Sequence, residues 1–433
     1  MVQQKDIVAY GYKVLKDGDL SFPYEPWMRE EDFPPPKSFP EKGLSEEKVV
    51  EMVKERTSRN IPPERYFFMP ATFHDAHPFA KKIYAMPDVM CTFQSGLARR
   101  YNPTGYEVSA ECVRMIASLL GANHSEAGGF LNLGGTESNI WMTRLARDLY
   151  RKERPEIVAT MNVHYSWAMA CEALGVKLRV AGLNTDLSVR MNEVERMINE
   201  NTIMLVASTP EVTIGTMDPV DEFAELAEKH SVHLHSDAAY GGFLFPFLRE
   251  LGYDVPPFDF SVPQVKSMTA DPHKYLSPKP ISSIIIRDRE YLKAIPVEKT
   301  YQPVLSGSAR LGAPAYAFWA LVHHLGLEGY RAYIKHDMDL TKMLGEEVER
   351  IGDLENFRGN PIWKLVPWCI VTSREHDLKD VHRRLFAKGW YVGIGTLPDG
   401  KGTTYLRIAI DWSKTERLVH ELLADLKSAL SSN

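Results

Sequence analysis

Three short segments bring together residue types that can do chemistry. The first, Gly134-Gly135-Thr136-Glu137-Ser138-Asn139, follows the apolar run GGFLNL and opens an amphipathic stretch. Paired glycines let a backbone come close to a ligand, and the unpaired N–H groups of a helix start attract an anion such as phosphate. The same residues also make an ordinary Gly turn with Thr136 as N-cap, and this motif alone leaves both readings open. It is not a P-loop, because no G-K-[ST] follows, and it lacks the G-x-G-x-x-G spacing. The second segment, His235-Ser236-Asp237-Ala238-Ala239-Tyr240-Gly241-Gly242, puts an aspartate at the end of a strand-like run. A lone aspartate there is commonly a turn residue. Its other use is to anchor a heterocyclic cation, with the alanines leaving room for a flat ring. The third, Asp271-Pro272-His273-Lys274, ends the run KSMTA. An isolated lysine of this kind is usually a solvated surface charge. In a desolvated pocket its amine becomes a nucleophile able to form a Schiff base.

Each signal is moderate alone, but the order of the three is informative. A phosphate cradle, an acidic anchor for a ring nitrogen and a Schiff-base lysine are the parts needed to hold pyridoxal 5'-phosphate. The chain between Asp237 and Lys274 is long enough for a helix or loop and one strand, so the two can approach one ligand from different strand ends.

The surrounding pattern must supply those strand ends. EIVAT, KLRVAG, IMLVAST, VHLHSDA, KSMTAD and SSIIIRD are β-branched or apolar runs, with amphipathic stretches such as DPVDEFAELAEKH between some of them. This alternation predicts an α/β fold with a mostly parallel sheet and helices on both faces. Ligands in such sheets sit beyond the carboxyl ends of the strands. Further helices are expected at Glu107–Leu120, at Asn139–Lys152, over a long stretch from Ala313 to Arg350, and at a closing LVHELLADLKSAL. The segment Ala315–Leu327 reads as a buried helix despite His323 and His324. Ser45 is the expected N-cap of a short helix at Ser45–Arg59. Three parts follow: an N-terminal arm (1–65), a large cofactor domain (66–310) and a smaller C-terminal α/β domain (311–433).

The 433 residues are 25% charged and 44% hydrophobic, values that exclude disordered and coiled-coil chains. Lys plus Arg is 51 and Asp plus Glu is 57, a net charge of −6 that argues against a nucleic-acid partner. No apolar core follows a basic start at the N-terminus, so no signal peptide is expected. No run approaches the roughly 18 apolar residues of a membrane helix, so no membrane insertion is expected. Cys91, Cys112, Cys171 and Cys369 are scattered without a C-x-x-C pair, which removes zinc ribbons and thioredoxin-like chemistry and fits free thiols in a reducing cytoplasm.

With GGTES at 134–138, His164-Tyr165-Ser166, HSDAAYGG at 235–242 and DPHK at 271–274, the chain resembles the fold-type-I, group II pyridoxal-phosphate decarboxylases over roughly residues 70–430. The stretch 237–288 is similar to the L-tyrosine/L-aspartate decarboxylase type. HPFAKKIYAM at 77–86 is similar to the sphingosine-1-phosphate lyase branch, as is Lys279, although the latter stands one residue closer to Lys274 than in that branch.

The resemblance implies roles. Lys274 forms the Schiff base and later serves as an acid/base, and Asp237 pairs with the ring nitrogen. His164 stacks on one ring face and Ala239 touches the other. Gly135, Thr136 and His273 hold the phosphate, and Ser208 lies near the cofactor. Tyr301 matches a loop tyrosine that protonates the product carbon in decarboxylases; an ordinary packing tyrosine is the equal alternative. Gly307-Ser308-Ala309-Arg310-Leu311-Gly312 matches a segment that reaches the phosphate of the neighbouring subunit, with one extra residue between Ser308 and Arg310. That implies a homodimer with active sites at the subunit interface. No metal site is expected. The expected activity is α-decarboxylation of an aromatic or acidic L-amino acid, with cleavage of a phosphorylated amino alcohol by an aldehyde lyase as the alternative.

Overall fold

The computed structural model describes residues 13–14, 20–21, 40–58, 60–68, 76–86, 103–123, 125–294, 312–357, 364–399 and 401–431. In chain order the labelled elements are α1 (Glu46–Thr57), β1 (Tyr66–Phe67), α2 (Pro78–Tyr84), α3 (Pro103–Leu119), β2 (Gly128–Asn132), α4 (Gly135–Tyr150), β3 (Glu156–Thr160), α5 (Ser166–Leu174), β4 (Lys177–Ala181), β5 (Thr202–Ser208), α6 (Val220–His230), β6 (His233–Asp237), α7 (Phe245–Glu250), β7 (Val265–Ala270), β8 (Ser282–Ile286), α8 (Ala313–Glu349), β9 (Leu354–Asn356), β10 (Trp368–Ser373), α9 (Leu378–Ala387), β11 (Tyr391–Thr396), β12 (Thr404–Ala409) and α10 (Glu416–Ser431).

Seven strands form one sheet in the order β2-β8-β7-β6-β5-β3-β4. Only β8 runs against its neighbours; the pairs β7–β6, β6–β5, β5–β3 and β3–β4 are all parallel. The mostly parallel sheet expected from the run pattern is present. Every residue of β3, β5, β6 and β8 is buried, as strands covered on both faces must be. Trp141 of α4 and Trp167 of α5 belong to the apolar layer on one face. Phe223 of α6, Phe247 of α7 and Phe318 of α8 belong to the other.

A second sheet, β9-β10-β12-β11-β1, packs through Leu406 and Ile408 against Leu422 and Val419 of α10. Its edge strand β1 pairs parallel to β11. Tyr66–Phe67 therefore lies in the second sheet rather than with the cofactor domain, where the sequence places it. Two residues carry too little pattern to reveal a pairing partner that lies more than 300 positions away. Helix α8 spans both regions: Phe318 and Leu321 join the first core, and Leu344 and Val348 the second. It breaks at Gly326, whose φ of 57° lies in the left-handed region. The Ala315–Leu327 part is not buried throughout as expected. His323, His324 and Leu327 face solvent while Phe318 and Leu321 face the core, so the helix is one-sided. Ser45 caps α1 as expected, accepting the Lys48 N–H at 3.3 Å.

Among the described residues, no helix is long and apolar enough to cross a membrane.

Candidate active site

Parallel strands deliver the chemical residues to one edge of the first sheet. Ser208 at the end of β5 is in register with Asp237 at the end of β6, and Asp237 is in register with Thr269 of β7, two residues before Asp271. Chain leaving β2 provides Gly134 and Gly135, and chain leaving β3 provides His164. Ser208, Asp237, Asp271 and His273 are buried and form a floor; Gly135, Thr136, His164, Ala239 and Lys274 are half-buried around it.

Asp237 is pinned by its surroundings. Its Oδ2 accepts from Trp167 Nε1 at 2.8 Å and from Asn139 Nδ2 at 3.1 Å. Its Oδ1 has a longer contact, 3.3 Å from the Ala239 N–H. Two side-chain donors on one oxygen orient the carboxylate and leave the other oxygen the better placed to meet a cationic N–H.

Asp271 is the second organising carboxylate. It is wholly buried and accepts from Ser282 Oγ and from the Gly135 N–H at 3.2 Å. Its Oδ2 lies 3.4 Å from Lys274 Nζ and 3.6 Å from His273 Nε2. The helix start of α4 thus already attracts an anion, here the Asp271 carboxylate. The Gly134 N–H is taken by Asn132 Oδ1 at 3.0 Å. A phosphate at this helix start therefore meets glycine donors engaged by protein oxygens, a restriction the motif did not reveal. His273 Nδ1 hydrogen-bonds the Ile281 carbonyl, and burial pushes its pKa down.

His164 is influenced by Lys274, Asp237 and Asp271, which places all four within one electrostatic neighbourhood. Burial, aided by Lys274, pushes the His164 pKa down to about 4, against the pull of the two carboxylates, so the ring is neutral at neutral pH. Tyr165 packs on it, ring centroids 4.3 Å apart. Solvent reaches Lys279, yet the surrounding protein and the Lys274 charge pull its ammonium down to about 8.

The structure brings Gly135, Thr136, His164, Ser208, Asp237, Ala239, His273 and Lys274 to this edge. Tyr301, Ser308 and Arg310 lie outside the described residues. Four functional candidates had no assigned role in the sequence: Asn139, Ser166, Trp167 and Asp271. Asp271 stood inside the DPHK motif and Ser166 inside His-Tyr-Ser, so a signal existed for both. Asn139 and Trp167 read as ordinary helix positions, and only the packing of α4 and α5 over β6 turns them toward Asp237. Among the described residues, no cluster of His, Cys, Asp and Glu could hold a metal.

A pinned carboxylate, a lysine held by a second carboxylate and a helix start that attracts an anion match the three demands of pyridoxal phosphate. The Ser208 hydroxyl is buried without a partner among the described residues, an acceptor and donor left for a ligand. Gly135 fits as well: a Cβ there would stand 2.9 Å from Asp271 Oδ2, so the turn accepts only glycine without adjustment. Fold and site together define a pyridoxal-phosphate-dependent enzyme of the doubly covered α/β type.

The chain belongs to the pyridoxal-dependent decarboxylase family, whose conserved domain matches residues 36–367. It is similar to the L-aspartate/L-glutamate decarboxylase of Pyrococcus horikoshii, 35% identical over 402 residues, covering 91% of this chain and 100% of that protein. It is also similar to the probable L-tyrosine/L-aspartate decarboxylase of Methanothermobacter thermautotrophicus, 34% identical over 81% of this chain and 94% of that protein. Among solved structures, the sphingosine-1-phosphate lyase of Burkholderia pseudomallei superposes with a TM-score of 0.79 at 27% identity, covering 92% of this chain and 93% of that one. The protein is a pyridoxal-phosphate-dependent carboxy-lyase, as the resemblance implied.

Proposed function

We propose that the substrate is an L-amino acid with an acidic or aromatic side chain, L-aspartate first, which loses its α-carboxylate as CO₂. The observation that carries the mechanism is Asp237, pinned through Oδ2 by Trp167 and Asn139 in the same neighbourhood as Lys274 and His164. The bound cofactor supplies an electron sink for the pair left behind by CO₂. Asp237 holds a proton on the ring nitrogen. Lys274 is the amine that holds the cofactor aldehyde, and Asp271 keeps its Nζ at 3.4 Å. His164 covers one ring face and Ala239 limits the other. Thr136 and His273 would hold the phosphate, with Ser208 beside it, and Gly135 would join them by sharing the N–H it now gives to Asp271.

L-aspartate is favoured because both decarboxylases described above are named for it. Lys279, close enough to Lys274 for their charges to interact, supports an acidic side chain in the substrate. Tyr301 is assigned the return of a proton to the product carbon, with a packing role as the alternative, and either Ser308 or Arg310 is assigned the contact with the neighbouring subunit's cofactor. A homodimer is supported by α1. Val49, Val50, Met52 and Val53 are all exposed there, as is Leu44 just before it, and the helix buries none of its residues within its own chain. A helix of 12 residues is marginal unless it is packed. A cytoplasmic location is supported by Cys112, Cys171 and Cys369, all buried and free. We assign residues 1–65 to an arm, 66–310 to the cofactor domain and 311–433 to the small domain, with Tyr66–Phe67 contributing its edge strand to the small domain's sheet.

The second reading, aldehyde lyase, draws on the Burkholderia structure, whose likeness covers both chains nearly in full. The test is to give the purified, cofactor-loaded protein L-Asp, L-Glu and L-Tyr and to measure CO₂. CO₂ release from L-Asp supports the first reading. No CO₂ from any of the three, with aldehyde released from a phosphorylated amino alcohol, replaces it with the second.

A further inference from the structure

We propose that Asn139 and Ser166 are positioning residues that let the carboxylate of Asp237 select the tautomer of His164, keeping the ring's hydrogen on Nε2. The catalytic meaning of this rests on the cofactor reading above; the hydrogen-bond chain belongs to the protein alone.

The chain has four members. Asn139 Nδ2 is 3.1 Å from Asp237 Oδ2 and 2.9 Å from Ser166 Oγ. Ser166 Oγ is 2.7 Å from His164 Nδ1. Its direction follows from donor counting. An ionised carboxylate only accepts, so the Asn139 group facing it must be the NH₂. That NH₂ gives its second hydrogen to Ser166 Oγ. The Ser166 hydroxyl accepts that hydrogen and keeps one of its own to give to His164 Nδ1; its second lone pair would also permit the reverse, and the backbone decides between them. The Ser166 backbone N–H aims at the same atom, 3.3 Å away. Nδ1 thus faces two donors and carries no hydrogen of its own. A neutral imidazole has one N–H, and here it must sit on Nε2.

Two further observations support this direction. Asn139 Oδ1 is buried with no partner. Leaving a buried carbonyl unpaired is costly, and the amide tolerates it because the flipped orientation would set that oxygen against the Asp237 carboxylate. Trp167 gives Asp237 Oδ2 its other hydrogen bond, so the acceptor that starts the chain cannot rotate away. The charged groups acting on His164 are Lys274, Asp237 and Asp271, and the ring remains neutral under all three.

The functional consequence is specific. The ring proposed to cover the cofactor offers a ligand one hydrogen, on the edge away from Ser166. An N–H fixed there suits an anionic acceptor such as a substrate carboxylate. Asp237 sets that polarity through two intervening side chains, so the group proposed for the ring nitrogen and the group proposed for the ring face act as one unit.

The test is long-range ¹H–¹⁵N spectroscopy of the apoprotein labelled at histidine, with His164 assigned from a His164→Gln spectrum. The expected wild-type pattern is an unprotonated Nδ1 and a protonated Nε2 throughout the neutral range. In Ser166→Ala and Asn139→Leu, the Nδ1-protonated share should rise by roughly five-fold or more, the effect of losing about one hydrogen bond from the chain. A wild-type ring protonated at Nδ1 overturns the proposal without reference to any variant. So does an Nδ1 resonance that stays put in both variants. The cofactor reading is tested separately, by titrating the same wild-type sample with pyridoxal phosphate and following its visible absorption.

Discussion

Gly135→Ala is the most direct test of how the cofactor site is packed. The added Cβ would lie 2.9 Å from Asp271 Oδ2 and 3.4 Å from the Ala239 Cβ. Ordinary contact needs about 0.5 Å more on the Asp271 side. Asp271 has little freedom to yield, because Ser282 Oγ, the Gly135 N–H and Lys274 Nζ are all arranged around its two oxygens. Overpacking of this kind costs about 1–3 kcal/mol. Since each 1.4 kcal/mol is a factor of ten, strain of that size carried by the bound state beyond what the empty site carries lowers cofactor affinity by about 5–140-fold. Equilibrium titration of the apoprotein with pyridoxal phosphate measures this directly. Gly134→Ala is the control for the fold: its Cβ would meet only His273 Cε1 at 3.8 Å, an ordinary contact. The apoprotein of that variant should melt like the wild type, and that of Gly135→Ala should melt lower. Wild-type affinity and melting in Gly135→Ala would refute the packing argument.

Lys274→Ala should remove the covalent cofactor absorption and all turnover; an intact spectrum would contradict the central assignment. Trp167→Phe keeps an aromatic ring in the core but deletes the 2.8 Å donor to Asp237. Because hydrogen bonds to charged groups contribute about 1.5–3 kcal/mol, unfolding of the apoprotein should require less denaturant, and an unchanged midpoint would show the contact to be idle. Asp218 gives a pH prediction. It is fully buried and its pKa is raised to about 6 by burial, against the donors Ser208 N, Asn162 and Thr160. A raised folded-state pKa means a stability contribution present below the unfolded pKa of 3.8 and lost as pH rises through about 6. Asp218→Asn should flatten the stability profile over that window, and identical slopes in both proteins would falsify the assignment.

Much of the frame was legible because it depends on local pattern. Strands covered on both faces need continuous apolar runs, and EIVAT, IMLVAST and SSIIIRD are such runs, landing on the parallel β3 and β5 and on β8. What pattern could not show was pairing across long separations. The parallel register of Tyr66–Phe67 with β11 and the antiparallel insertion of β8 between β2 and β7 come from tertiary packing. The one-sided burial of α8 near His323 belongs to the same class, since hydropathy alone does not say which face finds a neighbour.

The candidate site divides in the same way. Lys274, Asp237, His164 and the glycine turn announce themselves by residue type and order, because each sits at a strand end where chemistry demands a particular group. Those motifs are enough to place the chain among pyridoxal-phosphate enzymes. The state of each group is a tertiary matter. That Asp237 is fixed by Trp167 and Asn139, that Asp271 holds Lys274, and that His164 is neutral depend on side chains brought together from separate elements. Hydrogen-bond direction and desolvation are properties of that three-dimensional neighbourhood, and no spacing along the chain encodes them.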